Sequence, residues 1–335
     1  MGTGIEDVAR AAGVSTATVS RALRGLPTVR EETRARVLRA AAALNYVPSP
    51  SAVSLASGRT RTVGLLTPSI ARWFHAHVIE GAERTLRAAG FDVLLYALEA
   101  DASMTRAAID PGVLRRRVDA LLVVGMPVTD AELESLSELC VPMVFIGAGP
   151  PGRARVHMDD AVGSAAVVGE LVALGHRHIG QVQGAPARNV TWSPAVERAR
   201  GAAGRLGAAG LPDDPALVEA ADFTTAGGRA AAARLLDRAP QVTAVYAHSD
   251  EMAFGVLEEL GARGLRVPED VSVVGIDGHD LGGLLGLATM AQDATGQGAV
   301  GATLILSALA GEPAGPGVVF PATWTPRRSI AAPRA

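Results

Sequence analysis

The chain has 335 residues, 48% hydrophobic, 19% charged and 4% aromatic, with a net charge of −3. That length suits two or three compact domains, and no apolar run reaches the ~20 residues of a membrane-spanning helix. A single cysteine, Cys140, excludes an internal disulfide and fits a reducing compartment.

The net charge conceals an asymmetry. Residues 1–62 hold nine arginines against four carboxylates, a net +5, and the remainder carries −8. A small basic head on an acidic body points to nucleic acid as the partner of the head. The start, "MGTGIEDVARAAG", lacks the basic-then-apolar pattern of a secretory signal, so a cytoplasmic protein is expected.

In chain order, Ile5, Val8, Ala9 and Ala12 recur at helical spacing. Gly13 turns the chain and Val14 packs beneath the turn. Ser15 is a good N-cap for a second helix, in which Val19, Ala22 and Leu23 face inward. Thr16, Ala17, Thr18, Ser20 and Arg21 are left outside, followed by Arg24. A core helix favours Leu, Ala, Glu or Lys, because hydroxyl side chains compete for backbone hydrogen bonds. A third helix is predicted from about Glu31 to Leu44, with Val37, Leu38, Ala41 and Leu44 inward and a Thr28–Glu31 capping box at its start.

Two helices about a short glycine turn, with a supporting third, form a helix-turn-helix. That unit offers the first residues of its second helix to base edges in the major groove. There Ala17 would pack on a thymine methyl, and Arg21 would bond a guanine through two acceptors. From these residues alone, the alternative is a hydroxyl-rich solvated face on a three-helix bundle.

Pro48 and Pro50 then break the chain, and Ser51–Ala56 forms a short, weak helix before a Gly-Arg linker. This stretch has little to bury by itself, so order is expected only on binding. Its Leu55 is suited to wedge between base steps from the minor groove.

From Thr62 the pattern changes to apolar runs of strand length alternating with helices. "TVGLLTP", "FDVLLYAL", "VDALLVVG" and "VPMVFIG" read as strands, and "HAHVIEGAERTLRAAG" and "DAELESLSELC" as helices. After about residue 160 the pattern restarts with strands "HIGQVQG", "TAVYAHSD" and "VSVVGIDG" among further helices. Both halves predict parallel sheets covered on two sides. Two such lobes imply a cleft outside the carboxyl ends of their strands. "VGATLILSALAG" is expected to return to the first lobe.

"IEDVARAAGVSTATVSRALRG" followed by "LNYVPSPSAVSLASG" resembles the head and hinge of the LacI/GalR family of bacterial transcription regulators, and the resemblance runs through the body. It implies a helix-turn-helix head over 1–47, a hinge over 48–61, and a two-lobed, periplasmic-binding-protein-like α/β core over 62–335. It implies that Ser15–Arg24 reads a half-site, that Thr33 and Tyr46 touch phosphates, and that Leu55 enters the central minor groove. In the core it places Ser69, Trp73, Phe74, Arg198, Phe223, Asp250 and Asp277 around a small polar effector, such as a sugar. Carboxylates and a guanidinium suit paired hydroxyls, and an aromatic face suits the apolar side of a sugar ring. The residues alone leave Asp250 and Asp277 open as caps, and Phe74 and Phe223 open as core.

The chain also departs from the family pattern. Val53 stands where the family usually has Arg, and Arg24 where it often has Asn. Gly278-His279 follows Asp277, and "LGLATMAQD" replaces the usual Pro-x-Leu-Thr-Thr. Trp192 is a further aromatic of interest that no motif places.

No enzyme, cofactor or metal is expected. His176 and His178 point to opposite faces on the approach to a strand. Asp159 and Asp160 lack further carboxylates at metal spacing, and no Gly-x-Ser-x-Gly elbow or Walker loop occurs. One head covers only a half-site, so a homodimer on a pseudo-palindromic double-stranded DNA operator is expected. Nothing after Ile330 resembles a heptad coil, so no tetramer through a C-terminal bundle is expected. The rival functions are a DNA binder or activator without effector control, and a sugar-binding module for transport.

Overall fold

The computed structural model describes residues 4–46, 59–98, 108–185, 190, 192–312, 315 and 317–334. The chain divides into two compact units at Thr60/Arg61.

In the first unit, α1 (Ile5–Ala12), α2 (Thr16–Leu23) and α3 (Glu31–Ala43) enclose Val8, Ala12, Val19, Ala22, Val37 and Ala41. Ser15 caps α2 by accepting from the Thr18 amide at 3.2 Å. Gly13 closes α1 with φ +63°. Two expectations for α3 fail. Leu38 is 48% exposed, because Val37 and Ala41 already hold the inward face. The predicted Thr28–Glu31 capping box is absent, because the helix starts directly after Arg30 and Glu31 pairs with Arg34 at 3.1 Å.

The second unit contains two six-stranded sheets. The first has order β11-β5-β4-β3-β1-β2, from β1 (Thr62–Thr67), β2 (Asp92–Ala97), β3 (Ala120–Val124), β4 (Met143–Ile146), β5 (Arg155–Met158) and β11 (Val318–Phe320), all parallel. The alternation of strand side chains sorts its core. Val63, Leu65, Leu122, Val124 and Ile146 meet α4 (Trp73–Ala88) and α11 (Ala294–Leu309) on one face. Leu66, Leu121, Val123 and Phe145 meet α5 (Asp130–Ser137) and the 109–118 segment on the other. The return of "VGATLILSALAG" to this lobe is therefore seen in α11. A Cβ on Gly298 would lie 2.1 Å from the Val78 carbonyl oxygen, so α4 and α11 pack backbone against backbone.

The second sheet has order β12-β10-β9-β8-β6-β7, from β6 (Ile179–Gly184), β7 (Val218–Ala221), β8 (Ala244–Ala247), β9 (Ser272–Asp277), β10 (Ala288–Gln292) and β12 (Ala322–Thr325). α8 (Thr225–Arg238) and α9 (Asp250–Ala262) cover one face, and α6 (Asp160–Ala173) and α7 (Pro194–Ala208) the other, while the short α10 (Leu281–Leu285) lies between β9 and β10 in the chain. Its edge strand β12 runs antiparallel to β10, so this sheet is not wholly parallel as the apolar runs implied. The chain passes between lobes three times, at β5–α6, β10–α11 and β11–β12.

Candidate functional site

In the head, α2 presents Ser15, Thr16, Ala17, Arg21 and Arg24 as exposed residues, with Thr18 and Ser20 half-buried beside them. The Ser15 and Thr18 hydroxyls bond each other at 2.9 Å, which fixes the first turn of that face. Arg24 bonds the Ser20 carbonyl oxygen through Nε at 3.3 Å. Thr33 on α3 is half-buried, as is Tyr46, which packs against the head core. Leu55 and Val53 lie outside the described residues.

Between the two sheets lies a cleft of about 1170 Å³ at the carboxyl ends of the strands. Pro68 and Ser69 follow β1, Gly125 follows β3, Gly147 follows β4, Phe223 follows β7, and Asp277 ends β9. Glycines make space for the rings that line it. A Cβ on Gly147 would lie 2.8 Å from Phe74, and one on Gly184 would lie 2.0 Å from Phe223.

The floor is a buried ionic cluster. Arg198 donates through Nε to Asp160 at 2.7 Å and through Nη1 to the His248 carbonyl oxygen, and its Nη2 stands 3.9 Å from Asp277. Burial opposes the charge of this guanidinium, but Asp160 and Asp277 outweigh burial and hold it protonated. Asp277 has only the looser contact. Burial pushes its carboxyl up to about 8, with Arg198 pulling against that rise. Gln292 donates to Asp277 at 2.8 Å, and Gln297 on α11 donates to Gln292 at 2.8 Å. Asp277 also adopts φ +133°, a conformation that non-glycine residues reach only where the surroundings enforce it.

Among the effector residues expected from the sequence, the structure brings Ser69, Phe74, Arg198, Phe223 and Asp277 to this one cleft. Two stand elsewhere. Trp73 packs against His77 and His279, with ring centroids 4.4 and 5.8 Å away, because the first turn of α4 directs it beside the neighbouring lobe rather than into the cleft. Asp250 is fully buried and accepts from the Gly278 and His279 amides at 2.9 and 2.8 Å and from the Thr289 hydroxyl at 2.8 Å. It braces the loop after β9, while the cap of α9 is Ser249. Trp192 packs edge-on against Phe145, 6.3 Å away, in the first-lobe core.

The cleft also contains residues that sequence reasoning missed, among them Arg72, His75, Asp160, Asp222 and Glu251. Arg72 of the first lobe bonds the Asp222 carbonyl oxygen of the second. Burial raises the Glu251 carboxyl, while the Arg72 charge and the Trp73 amide pull it down. Asp159 caps α6 by accepting from Val162 at 3.0 Å, which leaves Asp160 to pair with Arg198. His176 is buried between Thr243 and the Ala331 carbonyl oxygen, and His178 is exposed. Among the described residues, no group of His, Cys, Asp and Glu could hold a metal, and no helix is long and apolar enough to cross a membrane.

Comparison with known proteins agrees with this geometry. Residues 4–49 match the family model described as bacterial regulatory proteins, lacI family, and residues 168–330 match a periplasmic binding protein-like domain. The HTH-type transcriptional repressor CytR of Escherichia coli is 33% identical over 318 residues, 93% of this chain and 92% of that protein. The HTH-type transcriptional regulator CelR of Thermobifida fusca is 37% identical over 82% of this chain and 81% of its own. A Lac repressor dimer bound to operator and the anti-inducer ONPF superposes with a TM-score of 0.83 at 25% identity, over 99% of this chain and 100% of that one. A CelR–cellobiose complex gives 0.71 at 32% identity, over 98% and 99%. The chain therefore belongs to the lacI family of bacterial regulatory proteins.

Proposed function

We propose that this protein is a sequence-specific transcriptional repressor whose operator affinity is set by a small polar effector bound in the cleft. The observation that carries the reading is the exposed Ser15–Arg24 face of α2 in a chain whose core also holds an interlobe polar cleft. It acts as a homodimer in the cytoplasm, each head reading one half of a pseudo-palindromic operator, with the 48–61 segment as hinge. The domain limits 1–47, 48–61 and 62–335 belong to this reading. Effector contacts fall to Ser69, Phe74, Arg198, Phe223 and Asp277, and DNA contacts to Ser15, Thr16, Ala17, Thr18, Ser20, Arg21, Arg24, Thr33, Tyr46 and Leu55. The protein regulates rather than catalyses. Because Arg72 and Asp222 join the lobes across the cleft, a ligand there biases the lobe arrangement, and DNA must alter effector affinity by the same factor in return.

The test is to sequence genomic DNA fragments retained by the purified protein at moderate salt, where non-specific binding fades. A recovered pseudo-palindrome, released or held more tightly on adding a sugar, is expected. Retention without an enriched site would overturn the operator reading.

A further inference from the structure

The cleft holds a ring that the reading above leaves unused. His75, on the first turn of α4, lines the first-lobe wall and is 8% exposed. Its Nδ1 is enclosed without a hydrogen-bond partner. The ring stands edge-on to Phe74 at 5.7 Å, and Gly125 leaves room for it, since a Cβ there would lie 2.4 Å from Nε2. A residue that only filled this space would serve better without a polar atom, because an enclosed unpaired one is destabilising.

We infer that His75 is a specificity-determining residue that hydrogen-bonds a hydroxyl of an uncharged polyol in the cleft. This rests on the effector reading of the cleft given above. Burial, aided by the charge of Arg72, lowers the imidazole to about 4, so near pH 7 the ring offers one donor and one acceptor. Because Nδ1 is enclosed, a ligand in the cleft meets the ring through Nε2, which a hydroxyl can partner whether or not that nitrogen carries the proton, whereas a carboxylate or phosphate oxygen only accepts. The surrounding charge favours the same ligand. Among the described residues, five carboxyl groups, of which Asp277 keeps its proton near pH 7, and two guanidiniums line the cleft. Both guanidiniums are engaged, Arg198 by Asp160 and the His248 carbonyl and Arg72 by the Asp222 carbonyl. Arg198 is neutralised by Asp160, and the remaining carboxylates outnumber the one further guanidinium, Arg72, so an entering anion meets net repulsion.

The test is calorimetry on the full-length protein. Cellobiose, ribose and a panel of neutral mono- and disaccharides and polyols are set against glucose 6-phosphate, ribose 5-phosphate, gluconate and glucosamine. The tightest binder is expected to be uncharged. His75→Phe should weaken it about tenfold or more, the loss of one well-placed hydrogen bond. His75→Gln, which keeps a donor and an acceptor, should stay within about threefold, separating hydrogen bonding from packing. Wild-type affinity in His75→Phe, equal losses in both variants, or a charged compound as the tightest binder would overturn the inference alone. If no compound binds the wild type, the effector reading falls and this inference with it.

Discussion

Asp250 decides between two roles that a sequence motif cannot separate. Its carboxylate accepts from two backbone amides and one hydroxyl while fully buried. Burial raises its carboxyl, and the three donors draw it back toward the ionised form. Asp250→Ala would leave three donors without their acceptor, the Thr289 hydroxyl fully buried and the Gly278 and His279 amides partly so. Each costs about 1–3 kcal/mol, so a low-to-middle sum is roughly 3–6 kcal/mol. At ~2 °C per kcal/mol for a core of this size, Tm should fall by about 6–12 °C. Asp250→Asn keeps one oxygen and should fall in between. The assay is thermal denaturation without any ligand. A residue that gripped the effector would lose ligand affinity with its stability intact. A Tm within about 2 °C of wild type for Asp250→Ala would therefore refute the bracing role and return Asp250 to the cleft.

Three further outcomes are expected. Arg198→Met leaves the Asp160 carboxylate buried without its cation, so urea denaturation should show a loss of about 3–5 kcal/mol, partly restored by adding Asp160→Asn. Asp277 holds its proton up to about 8 when folded, against 3.8 in the reference state, so the folded form binds that proton more tightly between these values. Wild-type stability should therefore decline as pH rises through this window, and melts at pH 5, 6.5 and 8 should show Asp277→Asn gaining on wild type at each step. Arg21→Ala should relax preference at one base position by about 1–3 kcal/mol in a site-selection assay; unchanged selectivity would remove Arg21 from base reading.

The head helices were legible because their signals are local. Ser15 as cap, Gly13 as turn and the inward Val8, Ala12, Val19 and Ala22 all sit within a few residues of one another. Leu38 misled because it adjoins Val37, and adjacent helical residues do not share a face. In the core, seven strands with long apolar runs announced themselves, but the sequence reading did not place β5, β7, β11 or β12, which are three or four residues long and partly exposed, nor the buried β10, whose "ATMAQ" mixes polar with apolar residues. The cleft was legible only in part. Asp160 lies 38 residues from the Arg198 it bonds, and Arg72 lies 150 from Asp222. No local spacing encodes such meetings. The strand end holding Asp277 did mark the cleft, because strand ends in a parallel sheet converge on one edge.

The three passages between lobes have a consequence for how such a protein can be rebuilt. Each lobe draws its sheet from separated stretches, the first from 62–158 and 318–320, the second from 179–292 and 322–325. No single cut in the gene yields either lobe entire, and a fragment ending after β10 would lack α11 and two edge strands. The helices of the head occupy one uninterrupted stretch, from Ile5 to Ala43. Recombination can therefore trade DNA specificity through one junction, while the sensing half travels as an indivisible cassette. New effector responses in this architecture have to come from substitutions at the cleft wall rather than from exchange of a lobe.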